Sequence, residues 1–444
     1  MSLSSLLVQS CGRRAWLAAF LLVGLTPAIA AAQSPTRAFV DAAFLKKDKP
    51  TFDFKDHPQL KIGRKLQIDF RLKFQKDKRT SDAPFTVADS RDVDIAKKRI
   101  AVEGDVMNAV AFQIEREMSG DDPWRDVYID FHKFSFVGAM YGKFKEPFSV
   151  DENTGATNND FARRSSIANL LAPGRDKGWM VHGQVLDHAV GYEFGKFDHD
   201  GRNARSVSGN RVSGGPTTAW RITTQPLRKF LKKDWNDLEF GYAQTTSDLE
   251  LTADFDNKSS ITGKTVLGEE IFAADQYVSG KRERRGIEFR WRPGPFSVKF
   301  ENIKLTEERL GLSVEDTDLP PYEHKGWYVS GTWAITGEEK AKGLDQPKKP
   351  INKGGVGAIE VAGRVEHITF GSTASDEPPS NSPRARVPFG NGDKITTFGV
   401  NWYPIHWVKI QIDFIHEVIA DPSRGPLPSK AGFNSRIIRF QFAL

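Results

Sequence analysis

Between residues 146 and 178 the chain carries Arg163, Arg164, Arg175 and Lys177 in one long polar stretch, EPFSVDENTGATNNDFARRSSIANLLAPGRDKG. A guanidinium presents planar, forked donors that match the oxygens of phosphate or carboxylate, and an ammonium adds a compact point charge. The chemistry open to such a set is recognition of an anion, its hydration replaced by several weak contacts in succession. Glu146, Asp151, Glu152, Asp160 and Asp176 share the stretch, so pairing within it is the competing outcome. Covalent chemistry has no comparable signal. The chain lacks a Gly-x-Ser-x-Gly elbow, a Gly-rich phosphate loop ending in Lys-Ser or Lys-Thr, and a His-Glu-x-x-His pair. Its nine histidines are dispersed, and His182 and His188, which flank a short turn, read as rim residues rather than metal ligands. No catalytic residue, metal or cofactor is expected.

The elements that must position these cations are strands. In KLQIDFRLKFQ (65–75), Leu66, Ile68, Phe70, Leu72 and Phe74 alternate with Lys65, Gln67, Asp69, Arg71, Lys73 and Gln75. A period of two puts one apolar face against one polar face, whereas a helix would scatter the same residues around its circumference. Sixteen such stretches are expected: 63–75, 93–104, 108–117, 125–134, 136–145, 179–186, 188–197, 218–225, 237–246, 285–292, 296–305, 326–335, 357–368, 394–403, 406–418 and 433–442. Odd-numbered strands lead mostly into long polar connections, among them 76–92, 146–178, 198–217, 247–284 and 369–393. Even-numbered strands lead mostly into short ones such as Asp105-Val106-Met107 and Pro293-Gly294-Pro295, with 226–236 and 336–356 longer. Long loops on one side and short turns on the other mark an outer-membrane β-barrel. About sixteen strands leave an aqueous channel, where eight leave room only for side chains.

A soluble β-sandwich or propeller would share the alternation. Two features favour the membrane. Aromatic residues Trp220, Trp291, Trp327, Tyr328, Trp402, Tyr403 and Trp407 fall near strand ends, as an interfacial belt requires. The closing RIIRFQFAL keeps Ile438, Phe440, Phe442 and Leu444 on one face to the end.

The chain opens with an export signal: Arg13 and Arg14, the apolar run from Trp16 to Leu25, then small residues at Ala28-Ile29-Ala30 and Ala30-Ala31-Ala32. The expected organisation is a signal peptide over 1–32, an N-terminal periplasmic segment over 33–62 and a transmembrane barrel over 63–444. The only cysteine, Cys11, lies within the signal, so the remainder can hold neither a disulfide nor a thiolate metal site. The formal charge of +6 includes Arg13 and Arg14, so the exported chain carries +4, too mild an excess to imply nucleic acid.

On the polar parity, the bases are Arg71, Lys73, Lys97, Arg99, Lys143, Lys145, Arg221, Arg290, Arg292, Lys299, Arg364, Lys409 and Arg439. The acids on it are Asp69, Glu103, Glu115, Glu117, Asp130, Glu239, Glu288, Glu301, Glu360 and Asp413. Such a lumen is either mutually paired and solvated, or arranged with its bases along one wall beside the arginines of 163–175.

At this point the residues resemble the phosphate-selective porins O and P. The resemblance is carried by Gly142-Lys143-Phe144-Lys145-Glu146-Pro147-Phe148-Ser149, by Arg163-Arg164-Ser165 followed by Ala172-Pro173-Gly174-Arg175, and by GWYVSGTWAITGE (326–338), GAIEVAGRVE (357–366), GVNWYP (399–404) and Arg439-Phe440-Gln441. It implies an all-β, sixteen-stranded antiparallel barrel in the outer membrane, trimeric, with an inward-folded third extracellular loop, here 146–178. It implies passive diffusion of small anions, with phosphate or related oxyanions preferred. The anion-pathway candidates it points to are Lys143, Lys145, Arg163, Arg164 and Arg175, with Lys97 and Arg99 on the basic second strand next; the polar parity adds Lys73 on the first. The implied partners are the anion, outer-membrane lipid and two further copies of the chain. A general porin of weak selectivity, or a barrel serving as adhesin or receptor through its long loops, are the alternatives.

Overall fold

The computed structural model describes residues 51–53, 60–76, 90–118, 123–205, 215–231, 235–250, 259, 261–268, 277–372, 391–419 and 432–443. The expected signal peptide, most of the segment 33–62, much of the connections 76–92 and 247–284, most of 369–393 and 419–432, and Leu444 lie outside them.

Sixteen antiparallel strands form the wall. They are β1 (Leu60–Lys76), β2 (Ser90–Val106), β3 (Val110–Glu117), β4 (Trp124–Phe134), β5 (Val137–Lys145), β6 (Arg175–Val185), β7 (Val190–Phe197) and β8 (Thr217–Thr224). They continue as β9 (Glu239–Leu249), β10 (Gly280–Trp291), β11 (Phe296–Arg309), β12 (Leu319–Ala334), β13 (Ala358–Ser372), β14 (Asn391–Ile405), β15 (Val408–Ile419) and β16 (Gly432–Ala443). Each pairs with the next, and β16 pairs with β1, Arg439 opposite Arg71 and Phe440 opposite Phe70. The sheet is a closed barrel. A three-residue strand, Thr51–Asp53, adds to the start of β1.

Burial alternates as the period requires. Phe70, Ile100, Ile129, Ile222, Ile287, Phe398 and Phe440 are exposed on the outer face, while Gln67, Asp69, Glu115, Arg221, Glu301, Gln411 and Arg439 are buried on the inner one. Cross-strand aromatic pairs lie on the outside, among them Trp220–Tyr242, Phe240–Phe289 and Phe296–Trp333. Two expected belt residues belong elsewhere. Tyr328 is 1% exposed and Tyr403 7%, because each follows an outward Trp by one residue and so faces inward.

Several strands run further toward the long loops than the alternation predicts. β10 begins at Gly280 rather than 285, and β12 at Leu319 rather than 326. In the loop-ward end of β10 the inner residues Arg282 and Arg284 are buried, whereas Lys281 and Arg285 are exposed on the outer side. Beyond the hydrocarbon layer the outer face has no reason to be apolar, so the period-two signal fades although the ladder continues.

The inner face is not wholly polar. Toward the long-loop end Ile303, Leu305, Ile368, Phe370, Ile419 and Phe433 form a buried cluster with Phe148, Ile167, Leu171 and Ile261 from connecting segments. Ile395, Ile415 and Ile437 form a second with Ala162 and Val266. These inward residues are apolar because chain, rather than water, covers them.

Candidate functional site: the segment between β5 and β6

β6 starts at Arg175, so the connection spans 146–174, and Arg175 and Lys177 belong to a strand. The segment contains two short helices. α1 (Val150–Asn153) is capped by Ser149, whose Oγ accepts from Glu152 N at 3.1 Å, and α2 (Ser166–Leu171) by Ser165, whose Oγ accepts from Ala168 N at 3.3 Å. Capping satisfies one of the first N–H groups, which have no partner inside a helix.

Others are satisfied by the wall of the barrel opposite β5. The Glu301 carboxylate on β11 accepts from Val150 N and Asp151 N. Glu366 on β13 accepts from Ser166 N at 2.6 Å, and Asp413 on β15 from Ala162 N at 2.8 Å. Wall cations and amides donate to the segment's carbonyls. Arg364 reaches Arg163 O at 3.2 Å and Arg164 O at 3.4 Å. Arg439 reaches Ala156 O at 3.0 Å, Arg284 reaches Leu171 O at 2.6 Å, and Asn401 reaches Asp160 O at 2.7 Å. Lys409 donates to Asn159 O.

The Asp160 side chain joins three parts of the molecule. Its oxygens meet Lys299 Nζ of β11 at 2.6 Å and Lys340 Nζ at 2.9 Å, and Lys340, from the connection between β12 and β13, also pairs with Glu360. Burial alone would raise the Asp160 carboxyl, but the two ammonium groups outweigh it and hold it well below the usual carboxylate range.

Much of the basic inner face is therefore engaged rather than free. Lys299, Arg364, Lys409 and Arg439 hold the segment. Arg221 is set among Glu288 at 2.6 Å, Glu193 at 3.3 Å and Glu239 at 3.6 Å, and Arg290 meets Glu239 at 3.0 Å. This is not an uninterrupted ladder of cations along one wall.

Cations gather instead near α1. Lys145 donates to Thr154 O at 3.2 Å and to Glu152 O; Arg164 donates to Asp151 O and Thr154 O, both at 2.8 Å. Glu152 receives Arg202 at 2.6 Å and Arg164 at 3.7 Å. Burial raises Glu152, yet Arg164, Arg202, Lys145 and Arg175 together bring its pKa down to about 2. Arg175 forms a two-pronged pair with Asp126, at 2.7 and 3.1 Å.

The other expected pathway residues divide. Lys97 is 3.8 Å from Asp69 and within the electrostatic reach of Arg99, Arg164 and Arg439. Arg99 is matched by Glu117 at 2.7 Å and Glu115 at 3.2 Å. Lys73 pairs with Asp92 at 2.7 Å and Asp94 at 3.4 Å, beside Arg71. Lys143 is placed differently. It shares the face of Tyr141, which is 56% exposed, and lies opposite Lys177, so its alternation points it outward. Arg163 has no ion pair within 4 Å among the described residues. Burial and the Arg71 guanidinium pull its pKa down to about 10, against Asp94 and Glu417.

Sequence reasoning missed Arg202, Lys340, and the pair Arg282 and Arg284, which close on Asp200 at 2.6 Å each. The alternation Arg282, Arg284, Gly286, Glu288, Arg290 was the available signal for the last two. The histidine reading also changes. His182 is a buried wall residue bonded to Asp130 at 2.7 Å, and no cluster of three or more His, Cys, Asp or Glu side chains suited to a metal forms among the described residues.

The family model of the phosphate-selective porins O and P matches residues 61–443. The chain belongs to this family. It is an outer-membrane porin, and its barrel is like those of solved porins. The outer membrane channel DcaP of Acinetobacter baumannii superposes with a TM-score of 0.53 at 10% identity, over 88% of this chain and 99% of that one. The anion-selective porin from Comamonas acidovorans gives 0.52 at 9%, over 87% and 100%. OmpT of Vibrio cholerae in its trimer form gives 0.50 at 10%, over 87% and 99%. At these identities the likeness of this porin to them is one of fold. No curated protein matches the sequence.

Proposed function

We propose that this porin passes small anions by diffusion, with phosphate or related oxyanions preferred, and that the segment 146–174 folds across the lumen as its constriction. The observation that carries this reading is the cation group Lys145, Arg164, Arg175 and Arg202 around Glu152, on a segment bonded to the far wall. Arg163, without an ion partner among the described residues, adds a guanidinium whose donors remain open to a passing oxyanion. Several weak contacts, rather than one tight site, let an ion leave as readily as it enters. The family supports phosphate as the preferred solute, and the anion-selective and trimeric porins among similar folds support an anion-selective homotrimer. No reaction is assigned to it.

A general porin of weak selectivity is the second reading, favoured by the many lumen bases already matched by acids. Planar-bilayer recording decides. A salt gradient should give a reversal potential of anion preference, and millimolar phosphate should reduce chloride current. Cation preference would overturn the proposal, and chloride current indifferent to phosphate would leave the second reading.

A further inference from the structure

The connection between β8 and β9 is out of proportion to its neighbours. It runs on the side of the short turns, periplasmic in outer-membrane barrels, where 107–109, 135–136, 186–189 and 292–295 suffice and 335–357 alone is longer. Its described part is well built. Arg228 N, Phe230 N and Leu231 N donate to Gln225 O and Leu227 O, and Asn236 Nδ2 closes on Arg228 O at 3.0 Å. This tight turn holds Phe230 82% exposed and Leu231 42% exposed, beside Arg228 and Lys229. Lys229 meets Asp187 of the adjacent turn, and Arg228 donates to Gln225 at 2.9 Å.

A phenylalanine fixed in this way is left uncovered by the described residues. The surroundings name the occupant. Trp235, from the same connection, stands edge-to-face on Trp291 at 6.1 Å, and Trp291 donates to Trp235 O at 3.0 Å. That pair continues the outer aromatic faces formed by Phe240–Phe289 and Phe296–Trp333. Aromatic rings at this level mark the boundary between hydrocarbon and headgroups, and basic side chains beside apolar ones mark attraction to anionic lipid. We propose that the connection between β8 and β9 is a foot that docks on anionic phospholipid of the inner leaflet, with Phe230 and Leu231 among the acyl chains and Arg228 and Lys229 at the phosphates. This goes beyond the conduction reading and does not depend on the solute.

The test uses the full porin in detergent, titrated with phosphatidylglycerol or phosphatidylcholine and read by native mass spectrometry. Phosphatidylglycerol should be retained at least about fivefold better. The combined change Arg228→Gln, Lys229→Gln and Phe230→Ser should abolish that difference while conductance in bilayers stays unchanged, which shows the barrel intact. Equal retention of the two lipids by the unaltered porin would overturn the proposal, as would unchanged preference in the variant. A variant that loses its oligomeric mass would assign the patch to a contact between copies and overturn it equally. Phe230→Leu, which keeps the apolar tip, should retain the preference.

Discussion

Asp160→Asn tests how firmly the segment between β5 and β6 is held. The carboxylate is 8% exposed by side chain and lies between Lys299 at 2.6 Å and Lys340 at 2.9 Å. Removing one partner of a buried ion pair costs roughly 3–5 kcal/mol, because the remaining charge stays buried without compensation. Here two ammonium groups lose a partner, but Lys340 keeps Glu360, so the lower part of that range, about 3 kcal/mol, is expected. The substituted amide can still accept a hydrogen bond, and the backbone carbonyl at this position keeps its bond from Asn401, so the segment should loosen rather than detach. Single-channel recording should show larger current noise and a higher preference for anions, since the lumen gains one positive charge. Heat modifiability on gels should move to lower temperature. Because the folded-state pKa of Asp160 is lowered, its contribution is complete above the unfolded value near 4 and fades only as pH falls toward the folded one. The wild-type channel should therefore stay quiet between pH 8 and 5. A variant as quiet and as heat-resistant as wild type would refute the idea that Asp160 fastens the segment.

Arg163→Gln should lower the anion-to-cation permeability ratio by up to about fivefold, on the order of 1 kcal/mol for one unpaired charge in a wet channel; an unchanged reversal potential removes Arg163 from the ion path. Arg99→Gln leaves Glu115 and Glu117 buried without their cation, so it should lower both heat resistance and the anion preference read in the same gradient measurement. Glu152→Gln should strengthen phosphate block of chloride current, while the loss of its pair with Arg202 lowers thermal resistance. The stabilisation from Glu152 is fully present above pH ~4.5 and lost as pH falls through about 2, so anion preference should rise only below about pH 3 in acid titrations of reversal potential. Lys143→Gln should leave selectivity unchanged, because the residue lies on the face of Tyr141.

What could be read in advance followed from solvent. Where an element has lipid on one side and water or charge on the other, as in Leu66 to Gln75, alternation is complete and each of the sixteen strands overlaps its expected stretch. Where the outer face leaves the hydrocarbon, as at Lys281 and Arg285, the strand persists through backbone hydrogen bonds that carry no side-chain signature. Tyr328 and Tyr403 were misplaced because each adjoins a Trp of opposite parity. The site was harder. Its cations were visible as residue types, but their partners lie far along the chain, as with Ala162 and Asp413. No local pattern predicts that Arg364 or Lys409 would be engaged by carbonyls of another segment. Besides the alternation through Arg282 and Arg284, a usable trace was a doublet such as Ile437-Ile438, which puts an apolar residue on each face where only one was required.

Arg439 carries a consequence for the order of assembly. One guanidinium nitrogen meets Asp69 across the seam, 370 positions away, and also Ala156 O in the segment, 283 positions away. Contacts between residues so distant form late, after the entropy of closing the intervening chain has been overcome. The last strand must arrive before the segment has its full set of anchors. Arg439 therefore completes the seam and one anchor of the segment with the same side chain. A porin halted before its final strand would have neither a closed seam nor this anchor of the segment.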